Sequence, residues 1–173
     1  MPQLVFSGRE VTFHPDEIIV SKTNLKGHIT YANQTFCDAA GYTEVELLGK
    51  PHNIIRHPNM PRCVFKLIWD TVQAGQEIFG YVVNQARNGD YYWVLAHVTP
   101  SFDERGQIIG YHSNRRVPDK KIVDTFISPL YADLLSIENR TPNRKDGMTN
   151  AFNHLIDVLN SKGVSYDEFI LTL

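Results

Sequence analysis

The chain is poor in cysteine: only Cys37 and Cys63 occur, far apart and with no CxxC around either. That excludes a zinc ribbon and fits a reducing compartment, with both thiols acting as small buried hydrophobes. An excess of charge of one sign is also missing, since 17 Lys and Arg face 19 Asp and Glu for a net charge of −2. A duplex-binding protein needs surplus cations to displace counterions, so no nucleic acid partner is expected. No long apolar run exists. The longest stretch without Asp, Glu, Lys or Arg, Tyr91 to Phe102, contains His97 and Pro100. It falls short of the roughly 18 apolar residues of a membrane helix. Met1 to Arg9 shows no cationic leader before an apolar core. A soluble, cytoplasmic chain without membrane insertion is therefore expected. Internal repeats, HExxH, GxSxG, a P-loop and paired carboxylates at glycosidase-like spacing are absent as well, and no enzyme is expected.

What is present suits one domain with an appendage: 173 residues, 42% of them hydrophobic. Residues 1–16 form a mixed N-terminal segment. Glu17 to Lys22 reads as a strand, Asn24-Leu25-Lys26-Gly27 as a turn, and His28 to Tyr31 as the returning strand. Asn33 is placed to cap a short helix with Phe36, Cys37 and Ala40, ended by Gly41. Thr43-Glu44-Val45-Glu46 is a capping-box pattern. A loop rich in Pro, His and Asn runs from Lys50 to Pro61. From Arg62 to Gln73 the apolar residues Val64, Phe65, Ile68, Trp69 and Val72 recur at helical spacing.

The period then falls to two. Phe79 to Gln85 and Tyr91 to Thr99 read as strands, joined at Arg87-Asn88-Gly89-Asp90, where both central residues tolerate positive φ and predict a tight hairpin. Gln107 to Arg115 is a further strand. The order gives an α+β domain around an antiparallel sheet, residues 17–117. Residues 118–173 form a C-terminal helical extension with a break predicted at Pro129, a linker at Thr141 to Gly147, and apolar stripes made by Phe126, Leu130, Leu134, Phe152, Leu155, Ile156 and Leu159. In Tyr91 to Thr99 neither face is polar, so both faces of the sheet are expected to be covered. The central helices take one. The tail helices, or a second subunit, take the other.

Five segments carry a resemblance: Ile29 to Asn33, Gly41 to Glu44, Arg56-His57-Pro58-Asn59-Met60-Pro61, Asn88 to Val94, and Ile109-Gly110-Tyr111. They resemble a PAS domain and, more narrowly, the sensory domain of bacterial aerotaxis receptors, over about residues 17–140. The resemblance implies a PAS fold, a five-stranded antiparallel sheet with short helices on one face, cupping an FAD whose redox state reports cellular redox conditions or oxygen. It implies a signalling protein partner or a homodimer contact, the tail helices being the natural place for either.

Several residues become candidates for the cofactor. Asn33 belongs to one of the matching segments. Arg56 and His57 suit the two phosphate charges of FAD. Asn59 stands where the family usually has Asp. Trp69, by itself a core residue, matches the tryptophan that aerotaxis receptors hold near their flavin. Asn84 is an isolated amide on an apolar strand, at the offset before the hairpin where flavin-binding relatives place an Asn; pairing with a neighbouring strand is the other reading. His112 lies where photoreceptor relatives have Gly-x-Gln, and would point at the flavin as a proton partner or sit as a core histidine. The photoreceptor sequence Asn-Cys-Arg-Phe is replaced by Arg56-His57-Pro58-Asn59, which argues against light-driven thiol adducts. Two alternatives keep the fold: a haem ligated by one of His28, His52, His57, His97 and His112, and a cofactor-free docking module.

Overall fold

The computed structural model describes residues 8–173. The expectation of no leader at Met1 to Arg9 falls largely on residues 1–7, outside that range. Among the described residues no helix is long and apolar enough to cross a membrane.

Five strands, β1 (Ile19–Thr23), β2 (Ile29–Ala32), β3 (Ile78–Gln85), β4 (Tyr91–Phe102) and β5 (Ile108–Arg116), make one antiparallel sheet in the order β2-β1-β5-β4-β3. The α+β architecture and its C-terminal helices are those expected. Local hairpins join β1 to β2, β3 to β4 and β4 to β5. The long-range closure is β1 on β5, in register Ser21 opposite Ser113. It brings the two ends of the sheet sequence together in the middle of the sheet.

The β3–β4 turn corrects the hairpin expectation. Gly89 has φ 90°, but Asn88 keeps a negative φ. Gly89 N–H donates to the Ala86 carbonyl at 3.0 Å, and Ala86 N–H to the Asp90 carbonyl at 2.8 Å. That is a type I turn closed by a left-handed glycine, one residue longer than the two-residue loop. Asn88 contributes through its side chain, whose Oδ1 accepts from Asp90 N–H. The nominal N-terminal segment also joins here: Tyr91 N–H donates to the Arg9 carbonyl and Val11 N–H to the Tyr91 carbonyl.

On the inner face lie α1 (Gln34–Ala40), α2 (Glu44–Leu47), a 3-10 turn (His52–Ile55) and α3 (Arg62–Gln73). Both sequence-level caps are formed, Asn33 on α1 and the Thr43–Glu46 box on α2. Phe36, Leu47, Val64, Ile68 and Val72 are buried against Tyr92, Val94 and Ala96 of β4. Burial of such side chains is worth about 1.5–3 kcal/mol each.

The tail wraps rather than simply stacking on the outer face. It comprises α4 (Lys120–Ile122), a π-helical turn (Val123–Ile127), α5 (Ser128–Arg140), α6 (Arg144–Lys162) and α7 (Tyr166–Leu171). Pro129 does not break the chain's helical course. Ser128 N–H reaches back five residues to the Val123 carbonyl, and this wider turn absorbs the proline, which has no N–H to offer. The extra residue rotates the apolar stripe. Phe126, expected in the core, is 48% exposed, while Val123, Ile127, Tyr131 and Leu134 are buried. Of the other expected stripe residues, Leu155 and Leu159 are buried and Leu130, Phe152 and Ile156 are half-buried. Tyr131 stands 5.8 Å from Trp93 on the outer face, and its hydroxyl donates to the Tyr81 carbonyl of edge strand β3. From there α6 packs on α3 and α7 on β3.

The expected linker at Thr141 to Gly147 shrinks to three residues. Asn143 caps α6, and Gly147 lies inside it. A Cβ on Gly147 would sit 2.3 Å from the Glu138 carbonyl, so α5 and α6 cross closely only because that position is glycine. Glu138 itself is 3% exposed and accepts from Arg62 Nε at 3.0 Å and from Cys63 N–H at 2.8 Å. This clasp fastens the end of α5 to the start of α3.

Candidate functional site

Between α3 and the inner face of the sheet is a cavity of about 360 Å³. Its wall is mostly apolar and aromatic: Phe65, Ile68, Trp69 and Val72 from α3, Val82 from β3, Ala96 and Val98 from β4, Tyr111 from β5. A volume of this order suits a small-molecule site.

Trp69, Asn84 and Arg56 meet in this cavity. Trp69 stands edge-on to Tyr111 at 5.2 Å and passes under the β1–β2 turn, where a Cβ on Gly27 would be 3.0 Å from its ring. Asn84 is 2% exposed on β3, and its Nδ2 has no acceptor. Arg56 forms an antiparallel bridge to Asn84, which seats the Arg-His-Pro loop against the sheet edge. Its guanidinium lies 4.7 Å from the Phe65 ring and donates to the Met60 carbonyl. Partial burial pulls its pKa down.

Of the remaining candidates only His112 touches this cavity. Arg56 ends the 3-10 turn in extended backbone, so the next side chain points the opposite way. His57 and Asn59 consequently line a second cavity of about 400 Å³, with Val83, Tyr91, Trp93 and Ser128. His57 Nδ1 accepts from Asn59 N–H, its ring lies 5.4 Å from Tyr91, and burial lowers its pKa. Arg56 and His57 therefore do not converge on one group. Asn33 is engaged as a cap: Oδ1 accepts from Phe36 and Val20 N–H, and Nδ2 donates to the Ile18 carbonyl, so its polar atoms serve the fold. His112 contributes to the cavity wall, but strand alternation turns Tyr111, Ser113 and Arg115 inward. The His112 ring bonds Asn114, its neighbour on the opposite face, at 3.0 Å.

Sequence reasoning missed the most strongly buried cation. Arg115, at 2% exposure, lines the cavity from β5. Its Nη2 donates to Ser21 Oγ, while Nε and Nη1 have no acceptor. The guanidinium lies 4.4 Å from the Phe36 ring, and burial pulls its pKa down to about 10, so it stays charged at neutral pH. Ser21 Oγ in turn lies 3.2 Å from Nε2 of His52, whose ring stacks on Phe36. Burial, then the Arg115 charge, pushes His52 down to about 3, so its imidazole is neutral. Tyr92 completes the cluster; burial raises its phenol, against the opposing charge of Arg115 and the adjacent Asn84 side chain. One signal was available: period-two alternation back from Arg115 puts this arginine on the core face.

Orphaned N–H donors in an aromatic slot fit a flat heterocycle with carbonyl and ring-nitrogen acceptors. Two of the candidate haem ligands are already engaged. Ser21 takes Nε2 of His52, and His97 stacks on Phe79 and pairs with Glu77 on the outer face. Among the described residues no group of His, Cys, Asp and Glu could hold a metal ion. Neither cysteine lines the cavity, and burial with the Glu138 charge raises the Cys63 thiol to about 12. An adduct-forming thiolate is thereby disfavoured.

A family model described as the PAS fold matches residues 29–115. The chain is 44% identical over 120 residues to the aerotaxis receptor of Escherichia coli (strain K12), covering 69% of this chain and 23% of that protein. It is 31% identical over 99 residues to the nitrogen fixation regulatory protein of Klebsiella pneumoniae, covering 57% and 20%. The chain thus spans no more than about a quarter of these relatives. Among solved structures, the light state of the blue-light photoreceptor Aureochrome1 LOV aligns with TM-score 0.57 at 19% identity, over 69% of this chain and 91% of that one. The PAS domain of the fruit-fly ELK potassium channel aligns with TM-score 0.53 at 16% identity, over 57% and 85%. At such identities the structures speak for the fold alone.

Proposed function

Since the chain belongs to the PAS fold family, and is a sensory PAS domain similar to that of the aerotaxis receptor, we propose that its cavity binds a flavin, as FAD, and that it reports redox state or oxygen to a signalling partner. We read it as a binding and signalling module, not an enzyme. The observation that carries this is the set of unpaired buried donors, Asn84 Nδ2 and Arg115 Nε and Nη1, in a cavity walled by Phe65, Trp69 and Tyr111. Leaving such donors unmet costs about 1–3 kcal/mol each, more for the charged one, which supports a ligand that brings acceptors.

The bound flavin would supply reversible two-electron uptake. The chain's residues divide the remaining work. Phe65 and Trp69 would pack against one face of a flat ring, Asn84 and Arg115 would hydrogen-bond its edge, and Arg56 and Lys26, the other cations on the wall, would be candidates for the phosphates. A shift at the ring reaches α3 directly, and the Arg62–Glu138 clasp passes movement of α3 to the tail. The tail is accordingly our candidate for the partner or homodimer contact.

The deciding experiment is reconstitution of the purified full chain with FAD, FMN or haem, followed by absorption spectroscopy. Flavin bands with FAD retained through gel filtration are expected. A Soret band would favour the haem reading, and no retained chromophore the docking-module reading.

A further inference from the structure

We propose that Arg115 decides which oxidation state the cavity prefers, by holding the reduced flavin ring as an anion. This rests on the flavin reading above and deepens it.

The guanidinium is a fixed positive charge that the protein leaves uncompensated. It is 2% exposed, and among the described residues no carboxylate pairs with it. Ser21 accepts one of its N–H groups, and Phe36 lies against its plane. Nε and Nη1 remain without acceptors in the cavity wall. The nearest titratable neighbours do not offset the charge. His52 is neutral behind Ser21, and the Tyr92 phenol is raised by burial and keeps its proton. Arg56, the other guanidinium on the wall, is partly solvated and already donates to the Met60 carbonyl. In a site where water does not screen it, an unpaired cation favours whichever ligand state carries negative charge.

Reduction supplies that state. Two electrons from dithionite, which is oxidised to sulfite, and one proton from water convert the neutral oxidised ring to a monoanion. The second proton that a neutral reduced ring would carry stays in solvent. Arg115 therefore favours reduced over oxidised flavin and raises the midpoint potential.

The test uses the full chain loaded with FAD and titrated with dithionite against a reference dye. Arg115→Gln should lower the preference for reduced over oxidised flavin about tenfold, which lowers a two-electron midpoint by about 30 mV. Arg115→Lys, which keeps the charge, should stay near the wild-type potential. A loaded Gln variant at the wild-type potential overturns the role of Arg115 while leaving the flavin reading intact. A wild-type chain that takes up no flavin overturns both. Should the Gln variant not fold, the wild-type protein decides by itself. Its reduced spectrum near neutral pH must be that of the anionic ring, and the spectrum of the neutral reduced form overturns the proposal.

Discussion

Two arginines sit at buried junctions of this molecule, and they are treated oppositely. Arg62, 19% exposed at its side chain, meets Glu138, which the chain brings from 76 residues away and uses twice, once for Arg62 and once for the Cys63 N–H. Arg115, buried more deeply, meets a serine, while its Nε and Nη1 have no acceptor. A charge taken from water needs a partner. Where the protein supplies it, the junction is structural. Where the partner is left out, as at Arg115, the proposed ligand would supply it. The tail clasp and the cavity are thus distinguished by hydrogen-bond satisfaction more than by burial.

Breaking the satisfied side should have the largest effect at neutral pH. Glu138→Ala leaves Arg62 and the Cys63 N–H without their acceptor, and is expected to cost about 3 kcal/mol, at the low end for a broken buried pair because Arg62 can reach water. The shift of the urea midpoint measures it; a loss below about 1 kcal/mol would mean that the clasp is not structural.

On the unsatisfied side the effect should move to ligand binding. Arg56→Ala is expected to weaken FAD about ten- to a hundredfold, the loss of one charge-assisted contact, with little change in unfolding of the cofactor-free protein. Equilibrium dialysis checks the first part and denaturation the second. Equal FAD affinity in the variant would remove Arg56 from the site.

A pH titration sharpens the same contrast. His52 falls from 6.5 to about 3 on folding. The unfolded chain therefore binds a proton that the native chain refuses. Stability contributed by the neutral imidazole is complete above pH 6.5 and is lost as pH falls toward 3, by about 1.4 kcal/mol per pH unit. Unfolding free energies measured across that window should show this slope in the wild type and not in His52→Gln. Arg115→Met should flatten it, because the nearby cation is one of the two causes of the depression.

The smallest effect is also the most diagnostic. Asn84→Leu removes a buried amide whose Nδ2 has no acceptor, so the cofactor-free protein should be unchanged or up to about 1 kcal/mol more stable, while flavin retention falls. Destabilisation together with full retention would show that Asn84 serves the fold.

The sequence made much of this legible where the signal is local. The Asn33 cap, the Thr43–Glu46 capping box and the α3 stripe depend on residues within four of one another, and they stand as read. Asn33 also shows the limit. Its sequence context marks both a cap and a family segment, and only the hydrogen bonds show that the cap uses every polar atom. Phe126 fails for a related reason: helical periodicity assumes 3.6 residues per turn, and the π turn before Pro129 inserts an extra residue.

By itself the sequence determined the elements, their caps, the inward and outward faces of the strands and the family to which the chain belongs. Each follows from spacing along the chain or from short motifs. Tertiary structure alone decided which of those faces enclose the cavity. Placing β1 on β5 sets Ser21 beside Arg115 across 94 residues, and the extended backbone at Arg56 sends His57 to another cavity. Whether a buried donor has an acceptor depends on residues far apart in sequence, and no local pattern encodes that pairing.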